Sequence, residues 1–156
     1  MILHLLRHAK TEKFAVTGKD YDRPLASKGI LQAENLKLAL ANTITKNVEI
    51  HVSAANRTQE TAKTIFPEYT LHFCKELYLA SSQELLQYIN KLSTSNDLFL
   101  LGHNEGLSEL ATSLIGENIL LKTASYLAIT FDCKNSAEIS RHNGMILHLY
   151  RPEIMS

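Results

Sequence analysis

Two arginines and two histidines stand where the chain leaves one apolar run for the next segment. Arg7 and His8 directly follow the run 2–6. Arg57 follows the run 48–52, in Ser53-Ala-Ala-Asn-Arg57-Thr-Gln-Glu-Thr-Ala62, and His103 follows 98–101, in Gly102-His103-Asn104-Glu105-Gly106. Arginine keeps its charge at any working pH and offers a planar fork that matches phosphate oxygens. A neutral imidazole is a competent nucleophile near pH 7, and a second imidazole can donate a hydrogen bond to a phosphoryl oxygen. Phosphoryl transfer asks a protein chiefly for in-line positioning and electrostatic stabilisation. Brought together, these four side chains supply both.

Taken singly, each has an ordinary explanation. An Arg-His pair at a strand end is more often a solvated edge than a site. Arg57 in a first helical turn opposes the helix dipole, so cations placed there are mildly unfavourable unless an anion joins them. A Gly-His-Asn turn is weak evidence. The coincidence at three strand exits favours a shared site.

The elements that must position these residues follow from periodicity. Residues 2–6 read as a buried strand and 12–25, with Gly18, Asp20, Asp22 and Pro24, as a loop. Ile30, Ala33, Leu36 and Leu40 recur at helical spacing, which predicts a helix over 27–40 with Ser27 as its N-cap. A strand over 48–52 precedes a helix over 56–66, stopped by Pro67. Next come a strand over 69–73, a helix over 82–92 capped at Ser82, and the most apolar strand, 98–101, ended by Gly102. A helix over 106–114 and strands near 126–131 and 145–150 complete the pattern, with 132–143 polar and turn-like. Alternating strands and helices predict an α/β fold, a mostly parallel sheet with helices on both faces. Ligands of such sheets bind beyond the carboxyl ends of the strands, where Arg7, His8, Arg57 and His103 would converge. The order and direction of the last two strands stay open.

The 156 residues are enough for one domain over 1–156 and too few for two comfortable ones. The composition is 45% hydrophobic and 21% charged, with zero formal net charge, which disfavours disorder and gives no basic face for nucleic acid. Any bound anion must be gripped locally by a few placed cations. No run approaches the roughly 18 apolar residues of a membrane span, and the short apolar start lacks the marks of a signal peptide. The expected location is the cytoplasm. Cys74 and Cys133 read as reduced thiols, although sequence alone leaves a disulfide between them open. His4, His51, His72 and His148 lie inside apparent strands without metal-ligand spacing and read as structural. The oligomeric state is not fixed by the sequence; a monomer is the default.

Leu-Leu-Arg7-His8-Ala9 resembles the Arg-His-Gly motif of the histidine phosphatase superfamily, also called phosphoglycerate-mutase-like, with Ala9 in place of the usual Gly. Asp20-Tyr-Asp22-Arg23-Pro24-Leu25 followed by Gly29 resembles a stretch of its small members. Ser53-x-x-x-Arg57-Thr-x-x-Thr61-Ala62 and Gly102-His103-Asn104-x-Gly106-Leu107 are similar to two further family motifs, and Leu77-Tyr78-x-Ala80 is typical of the subgroup. The match is closest to the SixA-like phosphohistidine phosphatases. It implies a three-layer αβα sandwich in which His8 is transiently phosphorylated. Arg7, Arg57 and His103 would form the phosphate pocket, and water would release phosphate from phospho-His8 without metal or cofactor. Asn104 adjoins this pocket as a further substrate-binding candidate.

The proton donor is the weak point. Larger family members place a Glu beyond the third strand. Glu76 lies in that region without the surrounding motif, and Asp20, Glu12 and Glu105 are weaker candidates. Arg23 is expected either to reach the phosphate or to anchor the Asp-rich loop through a salt bridge. Without a strong acid, easily departing groups such as the imidazole of phosphohistidine are favoured. The expected partner is therefore a phosphorylated protein or a small phosphorylated metabolite. A catalytically weak module that binds phospho-ligands is the alternative from another class, beside a small-molecule phosphatase. A mutase is disfavoured, because no insertion is long enough for a substantial cap.

Overall fold

The computed structural model describes residues 1–152. Six strands form one sheet: β1 (Ile2–Arg7), β2 (Glu49–Ser53), β3 (Leu71–Cys74), β4 (Leu98–Gly102), β5 (Tyr126–Phe131) and β6 (Gly144–Tyr150), in the order β3-β2-β4-β1-β5-β6. Strands β1 to β4 run parallel, whereas β5 is antiparallel to β1 and β6 antiparallel to β5. The sheet is thus mostly parallel with a mixed edge, and the two strands the sequence left open form that edge.

Four helices cover its faces: α1 (Ser27–Leu40), α2 (Asn56–Ile65), α3 (Ser82–Leu92) and α4 (Gly106–Ile115). Alternating strand residues divide the core between them. Leu6, Ile50, Val52, Phe99, Leu101 and Tyr126 pack with α1 and α2 through Ala33, Leu36, Ala62 and Ile65. Leu3, Leu5, Leu98, Leu100, Leu127 and Ile129 pack with α3 and α4 through Leu85, Ile89, Leu107 and Leu110. Strand β4 is buried along its whole length, as its uninterrupted apolar sequence requires in a sheet covered on both sides. No helix among the described residues is long and apolar enough to cross a membrane.

Several boundaries differ from the sequence reading. The N-cap of α1 is Ala26, not Ser27, and its side chain makes no capping bond. Helix α3 is capped by Ser81 rather than Ser82: the Ser81 hydroxyl accepts from Glu84 N–H, and the Glu84 carboxylate accepts from Ser81 N–H. On α1 the inward stripe starts at Gly29, and Ile30 is exposed. A Cβ at Gly29 would run into the Lys10 carbonyl, so the helix approaches the loop after β1 with a bare backbone there. Cys74 and Cys133 are both free.

Candidate active site

Strands β2, β4 and β1 are neighbours, so their carboxyl ends lie side by side. This brings Arg57, His103, Arg7 and His8 together, because each follows one of those ends. The His8 N–H donates to the Gly102 carbonyl (3.2 Å), stitching the β1 and β4 exits. The His8 and His103 ring centroids are 5.4 Å apart. Both rings are buried.

The tautomer of His8 is set by its neighbour. Its Nδ1 lies 2.8 Å from the Ala9 carbonyl oxygen, which can only accept, so Nδ1 carries the proton and Nε2 keeps its lone pair. Burial pushes the His8 pKa down to about 4; the bond to Ala9 opposes this, and the charges of Arg57, Arg7 and Arg23 add to it. The ring is therefore neutral near pH 7, with one nitrogen available for attack. Ala9 takes the family glycine's place without exposing its methyl. It is fully buried in the α1–α2 core, and its N–H donates to Thr61 Oγ1 (3.2 Å).

Arg7 donates from Nη1 to the Leu121 carbonyl (3.1 Å), while its Nε is buried without a protein partner. His103 is held by Ser53, with Nε2 and Ser53 Oγ 2.7 Å apart, and its Nδ1 is likewise buried without a partner. Burial lowers the His103 pKa to about 3, with Arg57, His8 and Arg7 adding to the fall and Asp20 opposing it. Two of the four buried side-chain atoms without partners among the described residues thus belong to Arg7, next to His8 in sequence, and to His103, whose ring neighbours that of His8. Buried polar nitrogens rarely stay unpaired, and a tetrahedral oxyanion is a ligand that fits these two atoms beside the Arg57 guanidinium.

Arg57 answers the dipole problem raised by its position. It donates from Nη1 to the Asp20 carbonyl (2.8 Å) and from Nη2 to Asp20 Oδ2 (3.0 Å), and lies over the Tyr78 ring at 5.9 Å. The Tyr78 hydroxyl donates to the same Oδ2 (2.5 Å). Arg23 anchors the loop: Nη1 pairs with Asp20 Oδ1 (2.9 Å), Nε with the Glu12 carbonyl (2.8 Å) and Nη2 with Thr11 Oγ1 (2.5 Å). Its charge still reaches His8. Burial would raise the Asp20 pKa, but the hydrogen bonds from Tyr78, Arg23 and Arg57 outweigh it and hold this carboxyl well below the usual range. An ionised, triply bonded carboxylate is a poor proton donor.

The remaining candidates lie around this centre. Asn104 is half-buried beside it, and its Oδ1 accepts from Ser108 Oγ (2.6 Å). Ser108 in turn accepts from Leu121 N–H (2.9 Å), so one network ties the α4 entrance to the carbonyl that holds Arg7. Glu76 is exposed on the turn after β3, lining a groove with Tyr88, Gln87 and Lys91, and bonds to none of the four central residues. Glu105 at the start of α4 is also exposed. No group of three His, Cys, Asp or Glu side chains among the described residues is placed to hold a metal ion. Ser53, Asp20 and Tyr78 are the residues the sequence reading left without these partners. Their signal was their presence in the motif segments around Arg23, Arg57 and Ala80.

Residues 3–77 match the family model of the histidine phosphatase superfamily (branch 1). An uncharacterized chloroplastic protein of Arabidopsis thaliana is 32% identical over 137 residues, an alignment covering 79% of this chain and 63% of that protein. The chain thus spans less than two thirds of that relative's length. A structure assigned as the phosphohistidine phosphatase SixA of Nakamurella multipartitia superposes with a TM-score of 0.85 at 18% identity, over 97% of this chain and 95% of that one. The protein histidine phosphatase SixA in complex with tungstate superposes with a TM-score of 0.78 at 16% identity, over 96% of both chains. At such identities the likeness is one of fold, and it extends over nearly the whole chain. The motifs, the family match over residues 3–77 and the architecture agree on the histidine phosphatase superfamily, branch 1.

Proposed function

We propose that this chain is a phosphatase that transfers a phosphoryl group to His8 Nε2 and then to water, and that its substrate is a phosphohistidine side chain. The observation that carries the reading is the neutral, Nδ1-protonated His8 beside two buried nitrogens, Arg7 Nε and His103 Nδ1, that have no hydrogen-bond partner among the described residues. Attack by Nε2 forms the phosphorus–nitrogen bond as the leaving group departs with its electron pair. Water then breaks that bond and releases inorganic phosphate. Arg7, Arg57 and His103 hold the phosphoryl oxygens, and no metal is called for. The chemistry of the leaving group selects the substrate class. Among the described residues no carboxylic acid is poised beside His8: Asp20 is ionised and Glu76 lies on the exposed turn. An imidazole that is protonated in solution leaves without a dedicated donor. The tungstate held by SixA is a tetrahedral oxyanion and suits the same reading.

The test is acid-quench trapping with labelled phosphohistidine and with an aryl phosphate. The wild type is expected to accumulate label at His8 and to turn over, whereas His8→Ala does neither. Normal labelling of His8→Ala would sink the nucleophile assignment. Tight phosphate binding without turnover of either substrate would instead favour a binding module.

A further inference from the structure

The pairing of Ser53 with His103 has a consequence for proton placement. Ser53 ends β2, is fully buried, and its hydroxyl has two neighbours of the right kind: His103 Nε2 at 2.7 Å and the Ala55 N–H at 3.5 Å. The Ala55 N–H can only donate, so Ser53 Oγ accepts there. The single acceptor within reach of the Ser53 proton is then His103 Nε2. If Nε2 carried the imidazole proton instead, the Ser53 proton and the Nδ1 lone pair would both be buried without partners. Such orphaned groups cost about 1–3 kcal/mol each. If Nδ1 carries it, one orphan remains, the Nδ1–H itself, in a ring that sits against His8 and Tyr78 and feels Arg57 and Arg7.

We propose that Ser53 is a positioning residue that fixes His103 as the Nδ1–H tautomer and so makes a neutral imidazole a hydrogen-bond donor to the phosphoryl group. Its role rests on the phosphatase reading above for its catalytic use, but the tautomer itself does not. The neutral ring matters. A cationic His103 would have to be protonated against burial and three neighbouring cationic or potentially cationic groups, whereas the Ser53 device gives a donor at no cost in charge. The other tautomer would point a lone pair at an anion and repel it.

Nitrogen-15 spectroscopy of the imidazole rings reads the tautomer directly. In the wild type near pH 7, His103 is expected to show a protonated Nδ1 and an unprotonated Nε2. Ser53→Ala, checked for folding by thermal melt, is expected to lose that preference and to reduce kcat by about tenfold to a hundredfold, the range of a weakened transition-state donor. Ser53→Thr, which keeps the hydroxyl, should restore the tautomer and most of the rate. A wild-type His103 protonated at Nε2 overturns the proposal even if turnover is normal. So does a folded Ser53→Ala protein with unchanged tautomer and kcat. Conversely, the expected tautomer in a protein that turns over neither substrate leaves Ser53 as the tautomer-setting residue and removes the phosphatase reading.

Discussion

Asp20 already pairs with Arg57, one of the cations proposed to hold the phosphoryl group. Its carboxylate and its carbonyl together take both terminal nitrogens of Arg57, and Tyr78 braces the same oxygen. The need for an anion at Arg57 was legible from the sequence, because a buried cation in the first turn of a helix opposes the dipole. The identity of that anion was not, because Asp20 reaches it from a loop with no period, across thirty-odd positions of chain that only the fold closes. An internal carboxylate of this kind both orients Arg57 and repels an incoming dianion, and the two effects act in opposite directions on binding. Arg57 keeps a second acceptor, the Asp20 main-chain oxygen, whatever the side chain is. Orientation is therefore partly retained in Asp20→Asn while the repulsion is lost. The expectation is that tungstate inhibits Asp20→Asn at several-fold lower concentration than it inhibits the wild type. An unchanged or higher inhibitory concentration would show that the carboxylate organises the pocket more than it blocks it.

At the level of elements, the α4 entrance takes its place only because bare backbone lets it come close. A Cβ at Gly106, the first residue of α4, would collide with the Ala80 carbonyl, so the α4 entrance and the segment before α3 meet backbone to backbone. His103 and Asn104 lie just ahead of this contact. Gly106→Ala is expected to destabilise the fold by about 1–3 kcal/mol, as overpacking does, and to depress turnover by shifting His103. Gly102→Ala is the control. Its Cβ would meet nothing closer than a Leu107 methyl at 3.8 Å, so a melting temperature near that of the wild type is expected. Equal losses in the two variants would show that the backbone contact is not what matters. Strand and helix existence was legible because periodicity reports burial directly. Helix caps were not, since Ser27 and Ser82 each stand one residue inside the true cap: Ala26 has no side chain that could cap, and Ser81 matches Ser82 in type. Ile30 misled because the helix face that approaches β1 is occupied by a glycine, which carries no hydropathic signal. The antiparallel edge was hidden for a similar reason: nothing in the apolar runs of β5 and β6 distinguishes a returning hairpin from another crossover.

The whole molecule carries no net charge, so an anion is drawn by the local cations of the site and not by the protein as a whole. Their surroundings make the neutral state of the histidines a property of the fold. Burial is the main cause at His4, His8 and His103, and it pushes their pKa values down to about 4, about 4 and about 3. An unfolded chain binds these three protons near pH 6.5, whereas the native protein binds them only near pH 3–4. Between those limits the unfolded state holds more protons, so stability is level above about pH 6.5 and falls as the pH drops below it. Each histidine contributes a slope of at most about 1.4 kcal/mol per pH unit. Asp20 adds a further loss in stronger acid, because its ion pairs stabilise the fold above the usual carboxylate range and vanish as the pH falls through its lowered native pKa. Urea denaturation followed from pH 7.5 to 4.5 is expected to show this decline in the wild type. In a His8→Ala, His103→Ala double variant the slope over the same range should shrink to that left by His4 and the weaker shift at His51. Under the proposed mechanism the same protonation at His8 removes the attacking lone pair, so turnover should persist well below pH 6.5 and collapse only as the fold itself gives way. A wild-type stability that stays constant down to pH 4.5 would mean that the site histidines are not held neutral by burial.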